Sequence, residues 1–314
     1  MNGIASVLVV TVLVLIAPQT VLSAPGAGQK AVLVTGASSG IGLRTTEVLS
    51  TNGFYVYAGA RSPEDLERLD AMDNVSSVKL DVTLQEDVDK AFDFVEAQGR
   101  GLWGVVNNAG VVEYSSLVEG PLSGVEFTFD VNVYGPIRVN IAFLPLLEES
   151  RGRTVTISSI AGFLAGRSGS YTMSKFAVEG YTDSLARELA GSGVHVSAVE
   201  PGGYRSRIQE NRVERLLERA ERGEIHLSEE RRAELLASLT NVESMEEPYE
   251  VAEAILDIMS SSKPKSRYLV TPNEQQAEMT IRGTMKRMLQ LNEDHRYSLD
   301  RDELVEMLDE LLAD

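Results

Sequence analysis

The chain has 314 residues, a formal charge of -18 at pH 7 and no cysteine. A surface this acidic repels phosphate backbones, so nucleic acid is excluded as a partner class, and the missing thiols exclude disulfides, thiolate metal sites and cysteine catalysis. The three histidines, His195, His226 and His295, are too scattered to suggest a zinc site, and no metal is expected.

Residues 4–23 are apolar except for Ser, Thr and Gln. Twenty residues at about 1.5 Å each reach roughly 30 Å, one bilayer core, which suits a membrane anchor. A short core ending at Ala17-Pro18, with small residues near Ser23-Ala24, suits a cleaved signal peptide instead. With Lys30 as the first positive charge, the anchor reading places the chain from Lys30 onward in the cytoplasm, and the signal reading exports it.

Ala31 to Val34 reads as a short buried strand. It is followed by Thr35-Gly36-Ala37-Ser38-Ser39-Gly40-Ile41-Gly42 and a helical stretch from Leu43 to Ser50. Glycines at those positions permit a tight turn and close backbone approach, so a pyrophosphate can sit on the helix N-terminus among free N–H groups. The second strand, Tyr55 to Gly59, runs into Ala60-Arg61 rather than an acid. A carboxylate there would bind the ribose hydroxyls of NAD(H) and repel a 2′-phosphate, whereas Arg61 can grip that phosphate. The expected cofactor is therefore NADP(H), with NAD(H) possible and with Ser38 and Ser39 as added hydroxyl donors.

Ser77 to Leu80 and Trp103 to Val106 read as the third and fourth strands, with exits at Asp81-Val82 and Asn107-Asn108-Ala109-Gly110. A long helix is expected from about Val125 to Leu147. It carries Asn132, an amide that is unfavourable in mid-helix and so asks for a reason. Thr154 to Ile157 is a buried strand ending at Ser158, where open α/β sheets place their ligands. Tyr171 and Lys175 are four apart in a segment whose apolar residues, Met173, Phe176, Ala177, Tyr181, Leu185 and Leu189, recur at helical spacing. A cation one turn from a phenol favours the phenolate and brings the group closer to neutrality.

Val194 to Val199 forms a sixth strand before Glu200-Pro201-Gly202. From Gly203 to Ser244 interleaved charges, Arg212 and Arg215 among them, suggest a solvated amphipathic lid containing Ser206. Pro248 to Ser260 and Tyr268 to Val270 supply a further helix and the last strand, and the tail reads as two acidic amphipathic helices, Glu274 to Leu291 and Leu299 to Leu312. Between those helices Asn292, Asp294, Asp300 and Glu303 keep to calcium-loop spacing. Arg296 at a ligand position and Tyr297 at the turn position argue against an ion there.

Taken together, the glycine turn, the Asn-Asn-Ala-Gly tetrad, Asn132, Ser158, Tyr171 and Lys175 resemble the short-chain dehydrogenase/reductase family over roughly Lys30 to Thr271. The resemblance implies a Rossmann-type α/β fold, a single doubly wound parallel sheet with helices on both faces. Around it come an N-terminal hydrophobic segment (1–29), a catalytic domain (30–272, lid about 203–244) and a helical extension (273–314) that packs on the domain or faces an oligomer partner. It further implies that Tyr171 is the general acid/base, Lys175 lowers its pKa and holds the nicotinamide ribose, Ser158 orients the substrate oxygen and Asn132 extends a proton relay through a bound water. Asp81 and Val82 would hold the adenine, Asn108, Ala109 and Gly110 would border the cofactor, Pro201 and Gly202 would close over the nicotinamide, and Ser206 would stand where a Thr is common beside its amide. The implied reaction is hydride exchange with a small-molecule alcohol or carbonyl. The region from Val105 to Gly202 looks most like the retinol and hydroxysteroid dehydrogenase branch, which suggests a lipophilic substrate. A cytosolic cofactor favours the anchor over the signal, and a homo-oligomer is expected. The competing class is an NADP(H)-binding sensor or scaffold without turnover. Epimerisation or dehydration on the same fold is a further possibility, against which the short substrate region argues.

Overall fold

In the computed structural model the described residues are 28–113, 117–118, 121–166, 169–242 and 244–313. The apolar segment 4–23, with the anchor and signal expectations placed on it, lies outside them. Among the described residues no helix is long and apolar enough to cross a membrane.

The strands are β1 (Ala31–Val34), β2 (Tyr55–Ala60), β3 (Val75–Lys79), β4 (Gly104–Asn107), β5 (Arg153–Ile157), β6 (His195–Pro201) and β7 (Arg267–Val270). They form one sheet in the order β3-β2-β1-β4-β5-β6-β7, and every adjacent pair is parallel. Because the chain runs outward from β1 in both directions, the order reverses between β1 and β4, and the crevice at that reversal is where such sheets bind ligands. All four residues of β1 are buried, as a strand covered by helices on both faces requires. Alternate side chains feed two cores: Val32 and Val34 join Val56, Val106 and Val155 on one face, and Ala31 and Leu33 join Tyr57, Val105 and Phe143 on the other. Each fully buried Val or Leu contributes about 1.5–3 kcal/mol.

The helices that accompany the strands up to β6 are α1 (Gly40–Thr51), α2 (Pro63–Asp70), α3 (Gln85–Ala97), α4 (Leu122–Phe129), α5 (Gly135–Ser150) and α6 (Gly169–Glu188). The single helix expected from Val125 to Leu147 is therefore α4 and α5 joined by a π-turn, Asp130–Tyr134, closed by Gly135 N–H donating to the Asp130 carbonyl. Such a turn inserts one residue into the helical ladder. Two residues favour it: a Cβ on Gly135 would meet the Val82 side chain at 2.7 Å, and Pro136 has no N–H to offer the Asn132 carbonyl four residues back.

The stretch read as a lid contains α7 (Ile208–Glu221) and α8 (Glu229–Ala237), followed by α9 (Tyr249–Ser260), α10 (Glu274–Leu291) and α11 (Arg301–Ala313). It is less solvated than its charges suggest. Arg212 is buried and Glu113 is only 5% exposed; Arg215 of α7 reaches Glu113 Oε1 at 3.0 Å and donates to the Val112 carbonyl at 3.1 Å. The acid that pins the lid comes from the loop after β4, about a hundred residues earlier, so local charge patterning gave no sign of it. Helix α10 packs back on the domain: Gln276 Oε1 accepts from Gly203 N–H at 2.8 Å, and Arg287 stacks 4.4 Å over the Phe176 ring. In the joint before α11 the Asn292 side chain staples Leu299 and Asp300 caps the helix through Asp302 and Glu303 N–H, so these groups serve the backbone.

Candidate active site

The turn after β1 and the turn after β4 are welded together. Thr35 Oγ1 accepts from Asn108 and Ala109 N–H, each at 3.0 Å, and Asn108 Nδ2 donates back to the Thr35 and Gly36 carbonyls at 2.9 and 3.0 Å. Gly42 makes the weld possible, because a Cβ there would lie 2.2 Å from Gly36 O and 2.4 Å from Asn108 Nδ2. Gly36, at φ +64, holds the left-handed conformation that glycine adopts freely.

These turns form the floor of one cavity of about 460 Å³. Of the residues singled out from sequence, Gly36, Ser38, Ser39, Gly40, Ile41, Arg61, Asp81, Val82, Asn108, Ala109, Gly110, Ser158, Tyr171, Lys175, Pro201, Gly202 and Ser206 all line it. Thr35, Gly42 and Asn132 stand behind the wall. The Asn132 amide is fully engaged: Oδ1 accepts from Val111 N–H at 2.8 Å, and Nδ2 donates to the Val111 carbonyl and to Ser174 Oγ, each at 2.9 Å. Its side chain thus fixes the Asn-Asn-Ala-Gly exit against α6. Cavity residues that sequence reasoning passed over include Tyr204, Ile208, Gln209 and Asn211 at the root of the lid, and Val242 and Met245 at its return. The stretch was legible as an amphipathic lid, but nothing in the spacing said which of its residues met the cavity.

Ser158 leaves the carboxyl end of β5, with its N–H on the Val199 carbonyl at 2.8 Å, and its Oγ is buried without a hydrogen-bond partner. Tyr171 and Lys175 come from the first turns of α6. The apolar stripe expected from spacing is only partly buried: Leu189 joins the core with Leu185 against it, but Met173 is exposed, while Ser170, Ser174, Lys175, Val178, Glu179 and Thr182 are buried. The first turns of the helix pack on polar site residues. Lys175, 6% exposed, donates to the Ile157 carbonyl at 2.7 Å and lies 5.5 Å from the Tyr171 ring centre. Burial pushes the Tyr171 phenol above its ordinary value, against a hydrogen bond with Ser159, and pushes the Lys175 ammonium down to about 8. The lowering expected from Lys175 is not among the influences on the phenol here, which are burial and the opposing Ser159 hydrogen bond; the ammonium is turned to the strand carbonyl instead.

At the other end Arg61, 67% exposed at its side chain, stands 3.7 Å from Asp81. Burial works to raise the Asp81 carboxyl, but hydrogen bonds from Thr83 and Arg61 hold it below its ordinary value. Asp65 of α2 does not turn back to the strand end, being engaged by Ser62 and Arg68. The site therefore offers a glycine-floored cradle for phosphates, a largely exposed guanidinium in a long pair with Asp81 beside it and, in the same cavity, a hydroxyl, a phenol and an ammonium. A dinucleotide fits those groups.

The short chain dehydrogenase family model matches residues 30–217. The mitochondrial D-beta-hydroxybutyrate dehydrogenase of Bos taurus is 39% identical over 188 residues, 56% of this chain and 55% of the relative. Retinol dehydrogenase 5 of Homo sapiens is 40% identical over 187 residues, 56% of this chain and 57% of the relative. The match thus spans little more than half the length of these relatives. A short-chain dehydrogenase/reductase of Burkholderia phymatum, solved in complex with NAD, superposes with a TM-score of 0.72 at 25% identity, covering 87% of this chain and 97% of that one. The chain belongs to the short-chain dehydrogenase family.

Proposed function

We propose that the protein is an NADP(H)-dependent oxidoreductase that interconverts a lipophilic alcohol and its carbonyl compound. The observation that carries the reading is the convergence of Ser158, Tyr171 and Lys175 in the same cavity as the glycine turn. A bound nicotinamide would supply or take up the hydride at the carbinol carbon. Tyr171 exchanges the proton with the substrate oxygen through its phenol, and Ser158 holds that oxygen in place. Lys175, fixed on Ile157, replenishes the phenol. Proton traffic then leads toward Asn132, whose carbonyl has no α-helical donor because residue 136 is proline.

NADP(H) is favoured over NAD(H) because β2 ends at Ala60 with no carboxylate, and because Arg61 lines the cavity. Its pairing with Asp81 is long and exposed, worth about 0–1 kcal/mol, so a 2′-phosphate displaces it at little cost. A lipophilic substrate is favoured by Ile160, Ile208, Val242 and Met245 in the wall and by the relative named as a retinol dehydrogenase. The catalytic domain is taken as residues 30–272, with residues 4–23 as a membrane anchor and the domain on the cytoplasmic side. The test monitors cofactor absorbance with NADPH or NADH against retinaldehydes, steroid ketones and short keto acids. The reading expects consumption of NADPH with the first two. Tight cofactor binding with no turnover of any carbonyl would make the protein a sensor instead.

A further inference from the structure

Behind Ser158 lies a carboxyl to which the proton transfer assigns no part. Glu179 sits one turn beyond Lys175 on α6 and is buried. A Cβ built on Gly162 would be 3.0 Å from Glu179 Oε1 and 3.0 Å from Ser158 Oγ, so the two oxygens flank the same space beside a single glycine. Both oxygens are buried, and both are without a hydrogen-bond partner. Leaving two such atoms unsatisfied costs about 1–3 kcal/mol each, which an ordered water touching both would recover.

Glu179 is itself held. Its Oε2 accepts from Arg267 of β7, whose guanidinium also reaches Glu200 Oε1 at 3.2 Å and Asp183 Oδ1 at 2.6 Å. Glu200 Oε2 in turn accepts from Tyr268 N–H at 3.0 Å. One guanidinium thereby ties the helix bearing Tyr171 and Lys175 to the strand that ends at Pro201, with the second Glu179 oxygen left over beside Gly162.

We propose that Glu179 is a positioning residue for Ser158: a water held between Glu179 Oε1 and Ser158 Oγ donates to both oxygens and turns the hydroxyl hydrogen into the cavity, toward the substrate oxygen. This rests on the oxidoreductase reading for its consequence but not for its geometry. Glycine at 162 is part of the device, since any side chain there would occupy the gap.

The test is a double-mutant cycle between Glu179→Met and Ser158→Ala, read as kcat on a carbonyl that the wild type reduces. Glu179→Met should lower kcat about tenfold when Ser158 is present and less than about twofold when it is Ala, with KM for cofactor unchanged and Glu179→Gln restoring most of the loss. An equal loss in both backgrounds would overturn the proposal. Should the wild type reduce no carbonyl, the oxidoreductase reading fails separately, and the same cycle is read from the melting temperatures of the apo proteins. Non-additive losses there uphold the contact, and additive ones overturn it. If Glu179→Met does not fold, Glu179→Ala takes its place in the cycle, with the same two outcomes.

Discussion

Replacing Gly42 with alanine tests the weld on which the cofactor end of the cavity depends. The new methyl would stand 2.2 Å from Gly36 O and 2.4 Å from Asn108 Nδ2. The first contact is with rigid backbone and the second with an amide already committed to two carbonyls, so neither can yield without breaking something. Overpacking costs about 1–3 kcal/mol, and losing the two Asn108 hydrogen bonds adds about 1 kcal/mol each, which together give roughly 3–5 kcal/mol. At about 2–4 °C per kcal/mol for a domain of this size, the apo protein should melt roughly 10 °C lower. Gly180→Ala on α6 is the matched control. Nothing lies within 4 Å of its added Cβ, and alanine is favoured over glycine in a helix by about 1 kcal/mol, so its melting temperature should rise by a few degrees. The assay is thermal unfolding of both proteins, with nucleotide binding measured at a temperature where both are folded. A Gly42→Ala protein melting within about 2 °C of wild type would refute the reasoning.

Arg61→Asp should raise KM for NADPH at least about tenfold and leave that for NADH unchanged or lower; equal use of both cofactors by the wild type would end the NADP(H) reading. Burial pushes the Glu200 carboxyl from 4.5 up to about 8, with the Asp183 charge adding to the rise and the Tyr268 N–H opposing it. A folded-state value above the unfolded one means that this contribution to stability is full below 4.5 and is lost as pH rises toward about 8. Unfolding free energies measured across that window should therefore fall more steeply for wild type than for Glu200→Gln, and parallel curves would contradict it. The full chain should sediment with membranes and a protein starting near Gly28 should not, whereas a mature N-terminus found by mass spectrometry at Ala24 or Pro25 would replace the anchor with a cleaved signal.

What the sequence made legible was local. The glycine turn, the tetrad from Asn107 to Gly110 and the ends of β2 and β5 are signals written within ten residues, and the sheet places them at the mouth of one cavity. What stayed hidden depends on pairs distant in sequence. Arg215 looks like one more solvated charge until Glu113 is found beneath it, and Gln276 looks like tail until it meets Gly203. The π-turn at Asn132 was missed: the mid-helix amide asked for a reason, but the reason was sought in a proton relay within one continuous helix, not in a change of helix form. Periodicity read α6 only in part: Leu185 and Leu189 pack in the core as spaced, but the helix also buries Lys175 and Glu179 for the site and leaves Met173 outside.

The most direct measurement is turnover by Tyr171→Phe beside wild type, with NADPH and whichever carbonyl the wild type reduces, alongside cofactor affinity by fluorescence titration. The phenol should be worth roughly 10²–10⁴-fold in kcat with NADPH binding little changed. A variant that keeps more than about a tenth of wild-type kcat would contradict the assignment of Tyr171 as the group that moves the proton.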